Sequence, residues 1–195
     1  MGLDSVELIM EVEKHFSISI ADADAENATT VGKLVDCVAN ILAVNSYNFA
    51  LREKTFLLIK NEFLKINRNL KDFSLNNKVS DTLDIGNKSH ILELENKIGL
   101  KLPGIYFIQE NHFGIWGKVK QWFNLTEAID FNEISWKKYI DITIAKNIEK
   151  IIPTDKYNSK YEIYIAIMKI TVDKIGVDYE EIGIEKSFTN DLGVD

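Results

Sequence analysis

Residues 161–176 read YEIYIAIMKITVDKIG, and this stretch sets the terms for the fold. Wound as a helix, it puts Ile163, Ile167 and Ile170 on one face and Ile165, Met168 and Val172 on the opposite one. A helix that is apolar on two sides is buried between two neighbours. Gly176 supplies a stop, because glycine takes the left-handed conformation that closes a helix. Two prolines and ten glycines do not suggest a sandwich of short strands, so the expected neighbours are helices with one apolar face.

Two such segments stand at the other end of the chain. Leu8, Ile9, Val12 and Phe16 share one face of a helix running from about Asp4 to Phe16, with Asp4 a candidate N-cap and Glu7 and Met10 on the outer side. Val31, Leu34, Val35, Val38, Ile41 and Leu42 repeat at helical spacing behind Thr29 or Thr30, either of which can cap. Between them, Asp22, Asp24 and Glu26 read as a polar loop. Cys37 lies inside the second helix, where a lone cysteine reads as packing.

The middle of the chain has its own periodicity. After a break at Asn45–Asn48, Phe56, Ile59, Phe63 and Ile66 mark an amphipathic helix. Gly86 interrupts, then Ile91, Leu94 and Ile98 lead into a turn at 100–103. Residues 105–122 are aromatic and glycine-rich and read as loop plus a short helix from Lys118. Residues 135–151 predict a helix that stops before Pro153. After Gly176 the chain is a loop held by Val177, Ile182, Phe188 and Leu192. The expected class is all-α.

Charge divides the chain in the same way. Residues 1–45 hold two basic and eight acidic side chains, 154–195 five and nine, and 46–153 sixteen and thirteen. A total of −7 opposes general nucleic-acid binding, which relies on cations at phosphates. A single cysteine excludes an internal disulfide framework and fits a reducing cytoplasm. No apolar run is long enough to span a bilayer, and MGLDSVEL lacks the basic start of a signal peptide. Met1-Gly2 with Ser5 and Val6 partly matches a myristoylation start, but the acidic residues that follow would be repelled by an anionic membrane.

Two strings resemble acyl carrier proteins. IYIAIMKITVDKIGVDYEEIGIEKSFTNDLGVD (163–195) is similar to their first helix and long first loop, including the closing D-L-G-x-D. GLDSVELIMEVEKHFSISI (2–20) followed by DADAENATTVGKLVDCVANIL (22–42) resembles the second helix, acidic linker, short third helix and fourth helix. The order is reversed, as in a circular permutation, which a compact domain tolerates when its ends meet at surface loops. The resemblance implies a four-helix carrier domain from 1–45 plus 154–195, closed within one molecule or exchanged in a swapped dimer. Residues 46–153 would be a second helical domain. FLLIKNEFLKI (56–66), VSDTLDIGNKSHILELENKIGLKLP (79–103) and GKVKQWFNLTEAI (117–129) parallel the same pattern in degenerate form, with Lys88-Ser89 where carriers have Asp-Ser.

What the resemblance implies about chemistry is specific. Carriers hold 4'-phosphopantetheine on a serine at the start of the second helix, where a helix N-terminus suits a phosphodiester. They present a tethered acyl group to acyl-processing enzymes of fatty-acid or polyketide-type metabolism. A phosphopantetheinyl transferase attaches the arm, and the carrier itself is not an enzyme. Asp4-Ser5 reproduces the Asp-Ser pair, making Ser5 the candidate attachment residue, and Glu7, Met10, Glu11 and Glu13 form the partner-docking helix. The register leaves an alternative open. Counting from Val6-Glu7-Leu8, the attachment position falls at Gly2, directly after Asp195 once the ends are joined, and Ser5 becomes a first-turn residue. The chain would then be an unmodified carrier-like adaptor or regulatory docking protein.

Other constellations carry less. His15, His90 and His112 are far apart in sequence and lack metal-ligand spacing. Asp22, Asp24 and Glu26 alternate like a cation loop but lack its glycine and distal glutamate. Trp116, Trp122, Phe123 and Trp136 read as core of the middle domain, or else as the lining of a lipid pocket.

Overall fold

The computed structural model describes residues 2–66, 72–82, 88–103, 134–153 and 156–194. These residues form helices and no named strand, so the fold is all-α. The helices are α1 (Leu3–Phe16), α2 (Asp22–Asn27), α3 (Val31–Ile41), α4 (Ala50–Ile66), α5 (Lys88–Ile98), α6 (Trp136–Lys146), α7 (Ile148–Ile151) and α8 (Lys160–Ile175), with a 3₁₀ turn at Val79–Asp81. Among the described residues no helix is long and apolar enough to cross a membrane. The chain divides into two compact units, Met1–Thr55 with Ile144–Asp195, and Phe56–Thr143. The expected pieces 1–45 and 154–195 both fall inside the first, which extends further into the chain from each side.

In the first unit α8 packs against both α1 and α3, and α2 against α3. Both apolar stripes are covered apart from their last turn: Ile163, Ile165, Ile167 and Met168 have no exposed surface, and Val172 is half-buried. Leu8, Val12 and Phe16 of α1 and Val31, Leu34, Val35 and Val38 of α3 are buried with them. Ser159 caps α8 by accepting from the Glu162 N–H, and Gly176 ends it at φ 79°. Arg52 is buried with its guanidinium 4.4 Å from the Phe49 ring centre and 4.6 Å from that of Tyr161, a cation between two aromatic faces.

The loop after α8 ties the chain's end to α3. The Val31 N–H donates to the Lys186 carbonyl (3.0 Å), the Gly32 N–H to that of Ile184 (2.7 Å), and the Phe188 N–H to that of Thr29 (3.2 Å). The first N–H groups of a helix have no acceptor within it, so the returning loop supplies them. Thr30, the N-cap, accepts from the Lys33 N–H through its hydroxyl (3.2 Å). Gly32 is the residue that lets the strands of backbone meet: a Cβ there would lie 2.8 Å from the Ile184 oxygen. Tyr164 on α8 donates to the Ile182 carbonyl (3.3 Å), fixing the loop from the other side.

The second unit has an aromatic core. Phe56 and Phe63 of α4 surround Phe73, whose ring centre is 4.8 Å from that of Trp136, and Tyr139 meets Trp136 at 5.3 Å. The Trp136 indole N–H, fully buried, donates to Thr82 Oγ1 (2.7 Å), so burying it leaves no donor unmet. Backbone bonds from Val79 to Ile134 and from Lys137 to Leu75 join the segment before α6 to the turn around Asn77.

Three expectations change. α1 begins at Leu3 and its N-cap is Gly2, whose extended backbone (φ −75°, ψ −178°) precedes the Val6 N–H to Gly2 carbonyl bond; Asp4 is in the first turn and does not cap. Asp22–Asn27 is a short helix and not a loop, because the Asp24 and Ala25 N–H groups both bond the Ala21 carbonyl and Ala25 buries its methyl. The helix expected over 135–151 breaks at Asn147, whose N–H bonds the Ile144 carbonyl and whose backbone (φ −117°, ψ 22°) leaves the α region. It does end before Pro153: Ile152 is extended, as the residue ahead of a proline prefers. Gly86 and the stretch from Ile105 to Trp122, with its helix from Lys118, lie outside the described residues.

Candidate functional site: the first turns of α1

The start of α1 is where the attachment and docking residues converge. Gly2 stands at the N-cap with no side-chain cap bond, and Ser5 is the third helical residue. Ser5 is half-buried and lines a cleft of about 80 Å³ with Leu8 and Ile9 of α1, Ala28 at the end of α2, and Phe188 and Val194 from the carboxyl-terminal loop. Asp4 is exposed beside it. Phe188 was legible as an anchor; Val194 and Ala28 were not, because a lone valine after D-L-G and an alanine among polar residues carry no periodic signal. Asp195, whose place relative to Asp4 bears on the register, lies outside the described residues.

The docking residues fall into two groups. Glu7 and Met10 are exposed, Met10 to 61%, and Val6 next to them to 40%. Glu11 and Glu13 are half-buried and engaged inside the unit. Glu11 pairs with Lys174 of α8 (3.2 Å) and with Lys14 (3.3 Å). The hydrogen bonds from those two lysines hold its carboxyl below the ordinary glutamate range. Glu13 Oε1 accepts from the Ile20 N–H (2.7 Å), tying the end of α1 to the chain beyond it.

The remaining candidates are structural in placement. His15, near the end of α1, shares a 2.6 Å hydrogen bond with the Tyr157 hydroxyl, and the Phe16 and Tyr157 rings meet at 4.8 Å. Burial lowers the His15 pKa and raises that of Tyr157 to about 12. Cys37 is half-buried, and burial followed by the Asp24 charge raises its thiol pKa, which favours the unreactive thiol. Asp22, Asp24 and Glu26 are all exposed on α2. Among the described residues no three His, Cys, Asp or Glu side chains cluster in a way that could hold a metal. In the second unit Ser89 is exposed in the first turn of α5, and Trp136 is a core residue. His112, Trp116, Trp122 and Phe123 lie outside the described residues.

This geometry offers one exposed helical ridge with acidic and apolar side chains, next to a narrow cleft with a serine on its wall. No protein-family profile matches the chain, and no solved structure matches it.

Proposed function

We propose that this protein is a carrier-like docking protein of acyl metabolism, acting as an unmodified adaptor and without a catalytic centre of its own. The observation that carries the reading is the start of α1: the cap position, where the carrier resemblance places the modified serine when counted from Val6-Glu7-Leu8, is Gly2 and has no hydroxyl. Ser5 lies within the helix, half-buried on the wall of a cleft of about 80 Å³. The packing of α8 on α1 and α3 supports the carrier-like part of the reading, since the two strings that resemble the family supply those helices.

A second reading keeps 4'-phosphopantetheine on Ser5. It is favoured by the Asp4-Ser5 pair in a first helical turn, where N–H groups and the helix dipole suit a phosphodiester. Co-expression of the full chain with a promiscuous phosphopantetheinyl transferase, read by intact-protein mass spectrometry, separates the two. The adaptor reading expects an unchanged mass. A gain of one phosphopantetheine that disappears in Ser5→Ala would establish the second reading and remove the first.

A further inference from the structure

We propose that His15 and Tyr157 form an acid-released catch between the end of α1 and the lead-in to α8, one that opens locally while the packed helices of the first unit stay closed. The catch is a cluster of three rings. Tyr157 Oη lies 2.6 Å from His15 Nε2, and both residues are half-buried. The buried Phe16 ring meets the Tyr157 ring at 4.8 Å and the His15 ring, edge to face, at 4.9 Å. Tyr157 therefore packs on the last residue of α1, and the His15 ring nitrogen is the polar anchor that holds it there. Burial pushes the Tyr157 pKa up to about 12, so its hydroxyl keeps its proton. In the closed catch that proton is donated to an unprotonated Nε2, and Nδ1 carries the imidazole proton.

Protonation of His15 works against this arrangement twice. It puts a hydrogen on the nitrogen that accepts the hydroxyl, and it sets a cation among half-buried rings. The charges around it do not reverse the balance. On α1, Glu11 attracts the cation, but its carboxylate is shared by Lys14 of the same helix (3.3 Å) and Lys174 of α8 (3.2 Å). On α8, Glu162 acts on Tyr157, and its Oε2 is taken by the Asn158 N–H (2.7 Å). Burial wins, and the His15 pKa lies below 6.5. The catch is thus fully closed above about pH 6.5 and is lost as the pH falls through the folded value. Release stops at the next residue. Ser46 Oγ donates to the Asn158 carbonyl (3.1 Å), the Lys160 N–H donates to the Ser46 carbonyl (2.8 Å), and Lys160 Nζ pairs with Asp36 (2.6 Å). These contacts do not involve His15, so the start of α8 is held independently of it.

The test is an NMR titration of the full chain from pH 7.5 to pH 5. It follows the ring signals of His15, Phe16 and Tyr157 together with the backbone amides of Val35, Lys160 and Ile165. The Phe16 and Tyr157 ring signals should move with the His15 titration, at one midpoint below 6.5, toward the values of an unstructured chain. The three amides should hold their positions. One proton sets the steepness, so the ratio of open to closed forms rises by at most about tenfold per pH unit. His15→Gln stays neutral and should leave the Tyr157 ring signals unchanged over this range. Tyr157→Phe keeps the ring but removes the hydroxyl that favours neutral imidazole, and should move the His15 midpoint toward 6.5. If His15 titrates while the Phe16 and Tyr157 signals stay fixed, the cation is tolerated in place and there is no catch. Ring signals that move together with the three amides would also overturn the proposal, because the unit then opens as a whole. So would a Tyr157 response that persists in His15→Gln.

Discussion

Gly32 occupies a tight backbone contact in the first unit, and the effect of replacing it follows from two opposing terms. Replacing a helical glycine by alanine ordinarily gains about 1 kcal/mol of helix propensity. Here the new methyl would lie 2.8 Å from the backbone oxygen of Ile184, which is also the acceptor for the Gly32 N–H. The clash is with backbone and has no flexible end to yield, so it wins. Gly32→Ala should destabilise the protein by about 1–3 kcal/mol, measured as a lower urea midpoint. Gly176→Ala has open space around the new methyl but φ 79°, and its cost should be smaller, about 1 kcal/mol, from backbone strain alone.

His15 gives a pH dependence whose sign follows from burial. Its folded pKa lies below the ordinary 6.5, so between the two values the unfolded chain binds more protons. Stability is fully present above about pH 6.5 and falls as the pH drops toward and through the folded value. Thermal melts from pH 7.5 to pH 5 should show this loss, and His15→Gln should flatten that part of the curve relative to the parent. Carboxylates such as Glu11, whose pKa is depressed by its lysine partners, act at lower pH and leave a residual slope in the variant.

At the scale of elements, α8 holds the unit together. Ile163 and Ile167 are fully buried, and truncating either to alanine should cost about 2–5 kcal/mol, measured by denaturant unfolding. Ser159→Ala removes the cap and should cost about 1 kcal/mol. This helix was the most legible part of the chain, because two isoleucine stripes admit only one environment. Helix class and the stop at Gly176 came with it. What escaped reading were elements held by backbone and by small side chains. α2 packs through Ala25 while its acidic residues face water, which leaves no apolar period to find. The start of α1 was misjudged for a related reason: Asp4 is a good capping residue in isolation, but the helix extends one residue further and Gly2 takes the cap. At the candidate site, Glu7 and Met10 were legible as outward-facing, whereas the capture of Glu11 by Lys174 depends on packing between helices distant in sequence.

At the scale of the whole molecule, the first unit is assembled from two segments, Met1–Thr55 and Ile144–Asp195, with residues 56–143 between them in the chain. The prediction belongs to that arrangement. A variant ending before residue 156 lacks α8 and the loop that meets α3, so α1 and α3 lose the surface that buries Leu8, Val12, Leu34 and Val38. Amide hydrogens of residues 4–41 should then exchange as in an unfolded chain, since single-faced helices of this length are marginal alone. Protection that survives the truncation would show that the amino-terminal helices have another partner.

The late position of α8 in the chain has a consequence for biosynthesis. With translation at about 5–20 residues per second, the apolar sides of α1 and α3 leave the ribosome roughly 7–30 seconds before the helix that covers them. The first unit can mature only after α8 and the loop that follows it have been made, and during that interval the apolar faces of α1 and α3 remain open to non-native contacts.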